Sequence, residues 1–129
     1  MPLTQSPFRF RLDNGSGVPV YRQLIDQVQA GIATGTLTVG HQIPTVRQVA
    51  VDLAINPNTV MRAYRELEIR GVLDTQQGTG TFIAARGPQI EDDGRARRLD
   101  QLIDEFVARA GAGGFTLAEI LDALKERGK

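Results

Sequence analysis

The side chains best suited to recognition chemistry lie in one short run, Asn56-Pro57-Asn58-Thr59-Val60-Met61-Arg62-Ala63-Tyr64-Arg65. Asn58 has an amide that both donates and accepts hydrogen bonds. Arg62 and Arg65 carry planar guanidinium groups that grip phosphates, carboxylates or base edges in bidentate fashion. Val60, Ala63, Tyr64 and Leu67 fall at the spacing of one apolar helical stripe, so Asn58, Arg62 and Arg65 share the opposite face with Met61 at its edge. Asn56 is suited to cap such a helix, Pro57 to open it and Gly71 to end it in a left-handed conformation. A charged helix face standing alone is most simply a solvated surface, so its neighbours must decide what this one does.

The preceding elements are legible. FRFRLD alternates apolar and basic residues like a short strand, and DNGSG reads as a turn. From Pro19 to about Thr34, the residues Tyr21, Leu24, Ile25, Val28 and Ile32 form a helical stripe closed by Gly35. TLTVGHQIP then connects to a short helix capped by Thr45, with Val46, Val49, Ala50 and Leu53 facing inward. Ile55, Asn56 and Pro57 separate it from the body of the next helix. Two short helices around a tight turn, the second polar at its start, are the pattern of a helix-turn-helix, with the Asn58 helix as the recognition helix. After Gly71, VLDT and TFIAA are β-prone runs around QQGTG, where Gly78 and Gly80 permit a hairpin turn. That hairpin reads as a wing.

Composition narrows the function classes. The chain has no cysteine and one histidine, His41, which removes thiolate catalysis, disulfides and cysteine- or multi-histidine metal sites. No nucleophile–base pair or metal cluster stands out. GTGTF resembles a phosphate loop only superficially, because no lysine follows and a strand comes next, so neither an enzyme nor a cofactor is expected. No apolar run approaches the roughly 20 residues needed to cross a bilayer, and MPLTQSPFRF lacks a signal-peptide core. A cytoplasmic protein without a membrane partner is expected. Net charge is zero, which argues against a nucleic-acid binder, but its distribution softens that argument. Residues 1–86 hold eight Arg and no Lys against six acidic residues, whereas residues 87–129 hold seven basic against nine acidic.

The character of the chain changes at ARGPQIEDDGRA, which reads as a linker over residues 87–94. Beyond it, Leu99, Leu102, Ile103, Phe106, Val107 and Ala110 form a helical stripe. AGAGG interrupts the chain, and Thr116 with Glu119 makes a capping box for a last helix carrying Leu117, Ile120, Leu121 and Leu124. Two amphipathic helices in so short a segment cannot bury a self-sufficient core. Packing against the same segment of a second subunit is expected, with folding back onto the first domain as the alternative. The expected fold is mainly α with a small β-hairpin wing: a winged helix-turn-helix domain over 1–86, the linker, and a two-helix dimerisation segment over 95–129.

VPVYRQL, GTLTVGHQIPTVRQVA and NPNTVMRAYRELEIRGVLDTQQGTGTFI together resemble the winged-helix DNA-binding domain of the GntR family of bacterial transcription regulators, over about residues 13–86. The short two-helix tail resembles the YtrA subfamily. The resemblance implies a homodimer on an inverted-repeat operator in double-stranded DNA, usually acting as a repressor, often beside genes of ATP-binding-cassette transporters. It also implies that Thr45 and Arg47 contact the DNA backbone, Thr45 standing where many relatives have Ser. Asn56, Pro57, Asn58 and Thr59 match the start of the recognition helix, and Gly78, Thr79 and Gly80 match a wing tip approaching the minor groove. Met61 stands where other subfamilies use a base-reading arginine, so base reading is expected to shift to Asn58, Arg62 and Arg65.

The chemistry is consistent with these roles. A helix N-terminus can hold a phosphate on free N–H groups, asparagine pairs with adenine and arginine with guanine. Plainer readings exist for single residues: Arg47 paired with Asp52, Arg65 lying along the helix surface, Tyr21 and Tyr64 as core residues, and His41 as a solvated loop residue. The rival for the whole is a winged-helix protein-interaction module, favoured by neutral charge but leaving Asn58, Arg62 and the Gly-Thr-Gly turn without a role. A small-molecule effector bound between the tail helices and the winged domain is one hypothesis, resting on the AGAGG hinge and the tail's apolar faces; the opposing one is that the tail only dimerises.

Overall fold

A computed structural model describes residues 7–84 and 92–128, arranged as two compact units, Met1–Pro88 and Gln89–Lys129. The first unit runs α1 (Val20–Ala33), β1 (Gln42–Ile43), α2 (Val46–Leu53), α3 (Pro57–Ile69), β2 (Leu73–Gln76) and β3 (Gly80–Ile83). The second consists of two helices, α4 (Asp92–Ala112) and α5 (Leu117–Arg127), joined by a short turn.

The helical stripes meet as their periodicity requires. Leu24, Ile25 and Val28 of α1, Val49 and Ala50 of α2, and Val60, Ala63, Tyr64 and Leu67 of α3 form one buried cluster, closed by Leu37, Ile43, Val72, Leu73 and Ile83. Each fully buried aliphatic or aromatic side chain contributes about 1.5–3 kcal/mol, so this cluster holds the three helices in one arrangement. Ile32, expected on the stripe of α1, is 38% exposed instead. Gly31 is the buried residue of that turn, because a Cβ there would lie only 2.8 Å from Leu37 Cδ1. Leu37, returning from the loop, fills the space an α1 side chain would take.

The expected strand at FRFRLD joins no sheet among the described residues. Its alternation is kept, since Phe10 is buried and Phe8 and Leu12 pack against the core. Its backbone is served by glutamines of α1: Arg11 N–H donates to Gln27 Oε1 at 2.9 Å and Asp13 N–H to Gln23 Oε1 at 2.8 Å. Side-chain amides thus replace a neighbouring strand.

The wing is larger than a hairpin. The connector expected as loop contains β1, which pairs antiparallel with β3 through Gln42↔Phe82 and Ile43↔Thr81, giving the order β1-β3-β2. His41 is therefore buried, not solvated: it is 4% exposed, its backbone carbonyl accepts from Ile83 N–H, and its Nδ1 has no hydrogen-bond partner. Pairing of the two-residue strand β1 with β3 carries it inside.

In the second unit, α4 begins at Asp92, so residues 92–94, expected as linker, are helical; the rest of the expected linker lies outside the described residues. AGAGG interrupts only at its end, because α4 continues through Gly111 and Ala112 and the chain turns at Gly113 and Gly114, the latter with φ +90°. Phe115 N–H bonds to Ala110 C=O, and the Thr116–Glu119 capping box opens α5.

Candidate nucleic-acid interface

The recognition run forms α3, and its start is well defined. Asn56 Oδ1 accepts the Asn58 N–H at 2.8 Å and Pro57 supplies the first helical residue. At its far end, Val72 N–H reaches Leu67 C=O and Gly71 N–H reaches Glu68 C=O, with Gly71 at φ +78°. A helix fixed at both ends and packed along Val60, Ala63, Tyr64 and Leu67 holds the rotation of its polar face. Tyr64 adds a link to the segment before α2: its hydroxyl donates to Pro44 C=O at 2.5 Å. Burial pushes that hydroxyl above the usual tyrosine range, so it stays protonated and donating.

Asn58, Met61, Arg62 and Arg65 are all exposed, and together with Glu66 and Ile69 they border one shallow depression of about 260 Å³. Met61 is 44% exposed. Arg47 and Pro57 come together elsewhere, around a depression they share with Val46, Ala50, Val51 and Ile55 across the α2–α3 turn. That turn passes through Ala54 in the left-handed region, at φ 53° and ψ 49°. Gly78, Thr79 and Gly80 border neither depression. They form the tip of the β2–β3 hairpin, where Thr79 N–H closes the turn on Gln76 C=O and Gly78 takes φ +80°. Gln42 of β1 braces the tip by donating from Nε2 to Thr79 C=O at 3.2 Å.

The free N–H groups expected at the start of the recognition helix are absent from it. Asn58 N–H is taken by Asn56 Oδ1, Thr59 N–H bonds to Asn56 C=O, and Pro57 has none. The unsatisfied donors sit at the start of α2 instead. Thr45 and Gln48 form a reciprocal capping box, whereas the N–H groups of Val46 and Arg47 have no acceptor among the described residues. With the positive end of the helix dipole and the Arg47 guanidinium, they make a surface suited to a phosphate. On α3, by contrast, only side chains can meet a partner. The Gln48 half of this box was missed in the sequence, although Thr45-x-x-Gln48 carries its signature.

Among the described residues Arg47 makes no ion pair with Asp52; the ion pair present joins Arg70 Nε to Glu66 Oε2 at 3.0 Å. Tyr64 is a core residue, but Tyr21 is only half buried and its ring lies beneath the Arg62 guanidinium. Among the described residues there is also no group of acidic, histidine or cysteine side chains placed to hold a metal ion, and no helix long and apolar enough to cross a membrane.

Of the apolar residues singled out in the tail, Ile120 is buried, at 9% exposure. Leu99, Leu102, Ile103, Phe106, Val107, Leu117, Leu121 and Leu124 are 36–57% exposed. The two helices border a groove of about 730 Å³ lined by Phe106, Ala110, Phe115, Ile120, Ala123 and Leu124, together with Arg109, Glu119 and Arg127.

Comparison with known proteins adds to this geometry. Residues 20–83 match the profile of the bacterial regulatory proteins of the gntR family. The chain is 30% identical over 116 residues to the HTH-type transcriptional repressor YtrA of Bacillus subtilis (strain 168), covering 90% of this chain and 89% of that protein. Among solved structures it resembles a transcriptional antiterminator from Listeria monocytogenes EGD-e, with 28% identity, a TM-score of 0.69, and 96% and 92% of the two chains covered. It also resembles the DNA-binding domain of AraR in complex with operator ORX1, at 26% identity and a TM-score of 0.53, over 60% of this chain and 99% of that one.

Proposed function

Because the chain belongs to the GntR family of bacterial regulatory proteins and is YtrA-like within it, we propose that it is a homodimeric transcription regulator that binds an inverted-repeat operator in double-stranded DNA. The observation that carries this reading is the outer face of α3, where Asn58, Arg62 and Arg65 converge without an ion pair to any carboxylate among the described residues. A merely solvated helix face gives no reason for two arginines without carboxylate partners and an asparagine to border one depression. Asn58, Arg62 and Arg65 read base edges in the major groove, with Thr59 and Met61 in apolar or hydroxyl contact beside them. Thr45, Arg47 and the free N–H groups at the start of α2 hold the backbone, and the Gly78-Thr79-Gly80 tip approaches the flanking minor groove.

The dimer is formed by the second unit. Nine large apolar side chains left exposed on a two-helix segment are far more than a stable isolated element leaves in water, and a second copy of the segment covers them with like surface. Two-fold pairing then presents two copies of α3 to two half-sites. The AraR domain was solved on an operator and the Bacillus relative is named a repressor; repression is carried over to this chain on that likeness, and control of a transporter operon only on the family resemblance of the sequence. Fluorescence anisotropy with a labelled operator duplex tests the reading, since affinity falls with a log–log salt slope of about −0.9 for each phosphate neutralised. A slope near zero would identify a protein-interaction module instead.

A further inference from the structure

Arg62 does not stand free on the polar face of α3. Its guanidinium carbon lies 3.7 Å above the centre of the Tyr21 ring, a cation–π stack that joins α1 to the reading helix. Glu66, one turn along, is engaged by Arg70 and leaves Arg62 to the ring. Arg62 borders both the outer depression with Asn58 and Met61 and a crevice of about 240 Å³ with Tyr21, Arg22 and Ile25. It therefore sits at the seam between the reading face and the first helix.

Stacking uses the flat face of a guanidinium and leaves its donors free, because all five N–H bonds lie in the plane and point outward at its edges. A flexible arginine must give up its rotamer freedom on docking, whereas a stacked one has lost it beforehand. The sequence gives Tyr21 no such role, since it lies on the apolar stripe of α1. Half burial is what allows it both to pack and to offer a ring face. Resting on the DNA-reading role proposed above, we infer that Tyr21 is a positioning residue for base recognition: its ring fixes the plane of the Arg62 guanidinium so that a paired N–H edge meets one guanine in the groove.

The test uses the full chain and a set of operator duplexes substituted at each base pair. Arg62→Ala identifies the base pair whose preference relaxes. Tyr21→Leu relaxes preference at that same base pair by about two- to fivefold, Tyr21→Phe retains it, and Tyr21→Leu adds nothing once Arg62 is replaced. Tyr21→Met, which also keeps apolar volume without a ring, gives the same answer should the leucine variant fail to fold. Uniform weakening of all duplexes by the ring-removing variants, equal cost with and without Arg62, or equal loss in Tyr21→Phe overturns the positioning role and leaves the DNA reading standing. Arg62→Ala weakening every duplex alike makes Arg62 a phosphate contact and overturns the assignment as well. A wild-type protein that distinguishes no duplex overturns the DNA reading itself, and the inference with it.

Discussion

Replacing Tyr64 by Phe removes one oxygen atom and tests how α3 is anchored to the start of the helix-turn-helix. The ring is 3% exposed and stays in the core, so packing is retained while the 2.5 Å hydrogen bond to Pro44 C=O is lost. The bond itself contributes about 0.5–1.5 kcal/mol, and leaving a part-buried carbonyl without its donor costs more, so the expected loss is about 1–2 kcal/mol. For a domain of this size that lowers the unfolding midpoint by roughly 5–15 °C near neutral pH. Alkaline conditions supply an internal control. The Tyr64 hydroxyl titrates above its ordinary value because burial disfavours the phenolate. Its contribution is therefore complete below the unfolded value of about 10 and is lost as pH rises through the folded one. The stability gap between wild type and Tyr64→Phe should narrow above about pH 10. Circular dichroism melts of both proteins across this range measure the gap. A variant as stable as wild type near neutrality, or a gap that widens with pH, would refute the reasoning.

Three further outcomes are expected. Gly80→Ala places a Cβ against the Gln42 amide at a residue with φ +140°, so the wing loses its brace at a cost of about 1–3 kcal/mol; operator affinity falls in titration while the bases preferred by α3 stay the same. Asn58→Ala relaxes base preference, at about 1–3 kcal/mol for its lost pairing, whereas Arg47→Ala weakens specific and random duplexes alike; equal losses in both variants would show that the reading face is misplaced. Leu102→Glu combined with Leu121→Glu, both about half exposed, yields a folded monomer in analytical ultracentrifugation with weakened operator binding, and a dimer surviving both changes would place the interface elsewhere.

Most of the helical framework could be read from the sequence because its signals are local. The Thr45 and Asn56 caps, the left-handed Gly71 and the stripe from Val60 to Leu67 each depend on residues a few positions apart. What escaped depends on distant partners. β1 exists only because β3 arrives beside it, and His41 is buried for the same reason. The Phe8–Leu12 segment has the alternation of a strand, yet glutamine side chains from α1 satisfy its backbone. Leu37 displaces Ile32 from the stripe by filling the space above Gly31, a tertiary fit that periodicity does not encode. In the candidate site, residue types and the shared face of Asn58, Arg62 and Arg65 were legible. The Tyr21–Arg62 stack was not, because an apolar stripe hides a ring that faces two ways, and the free donors were assigned to the wrong helix because Asn56 consumes those of α3.

Selection of duplexes from a random-sequence DNA pool by the full chain, followed by sequencing of the bound fraction, tests the central claim most directly. Enrichment of one inverted repeat is expected, with half-sites spaced to match a two-fold pair of recognition helices. A well-folded protein that enriches no sequence, or only single unpaired half-sites, would contradict it.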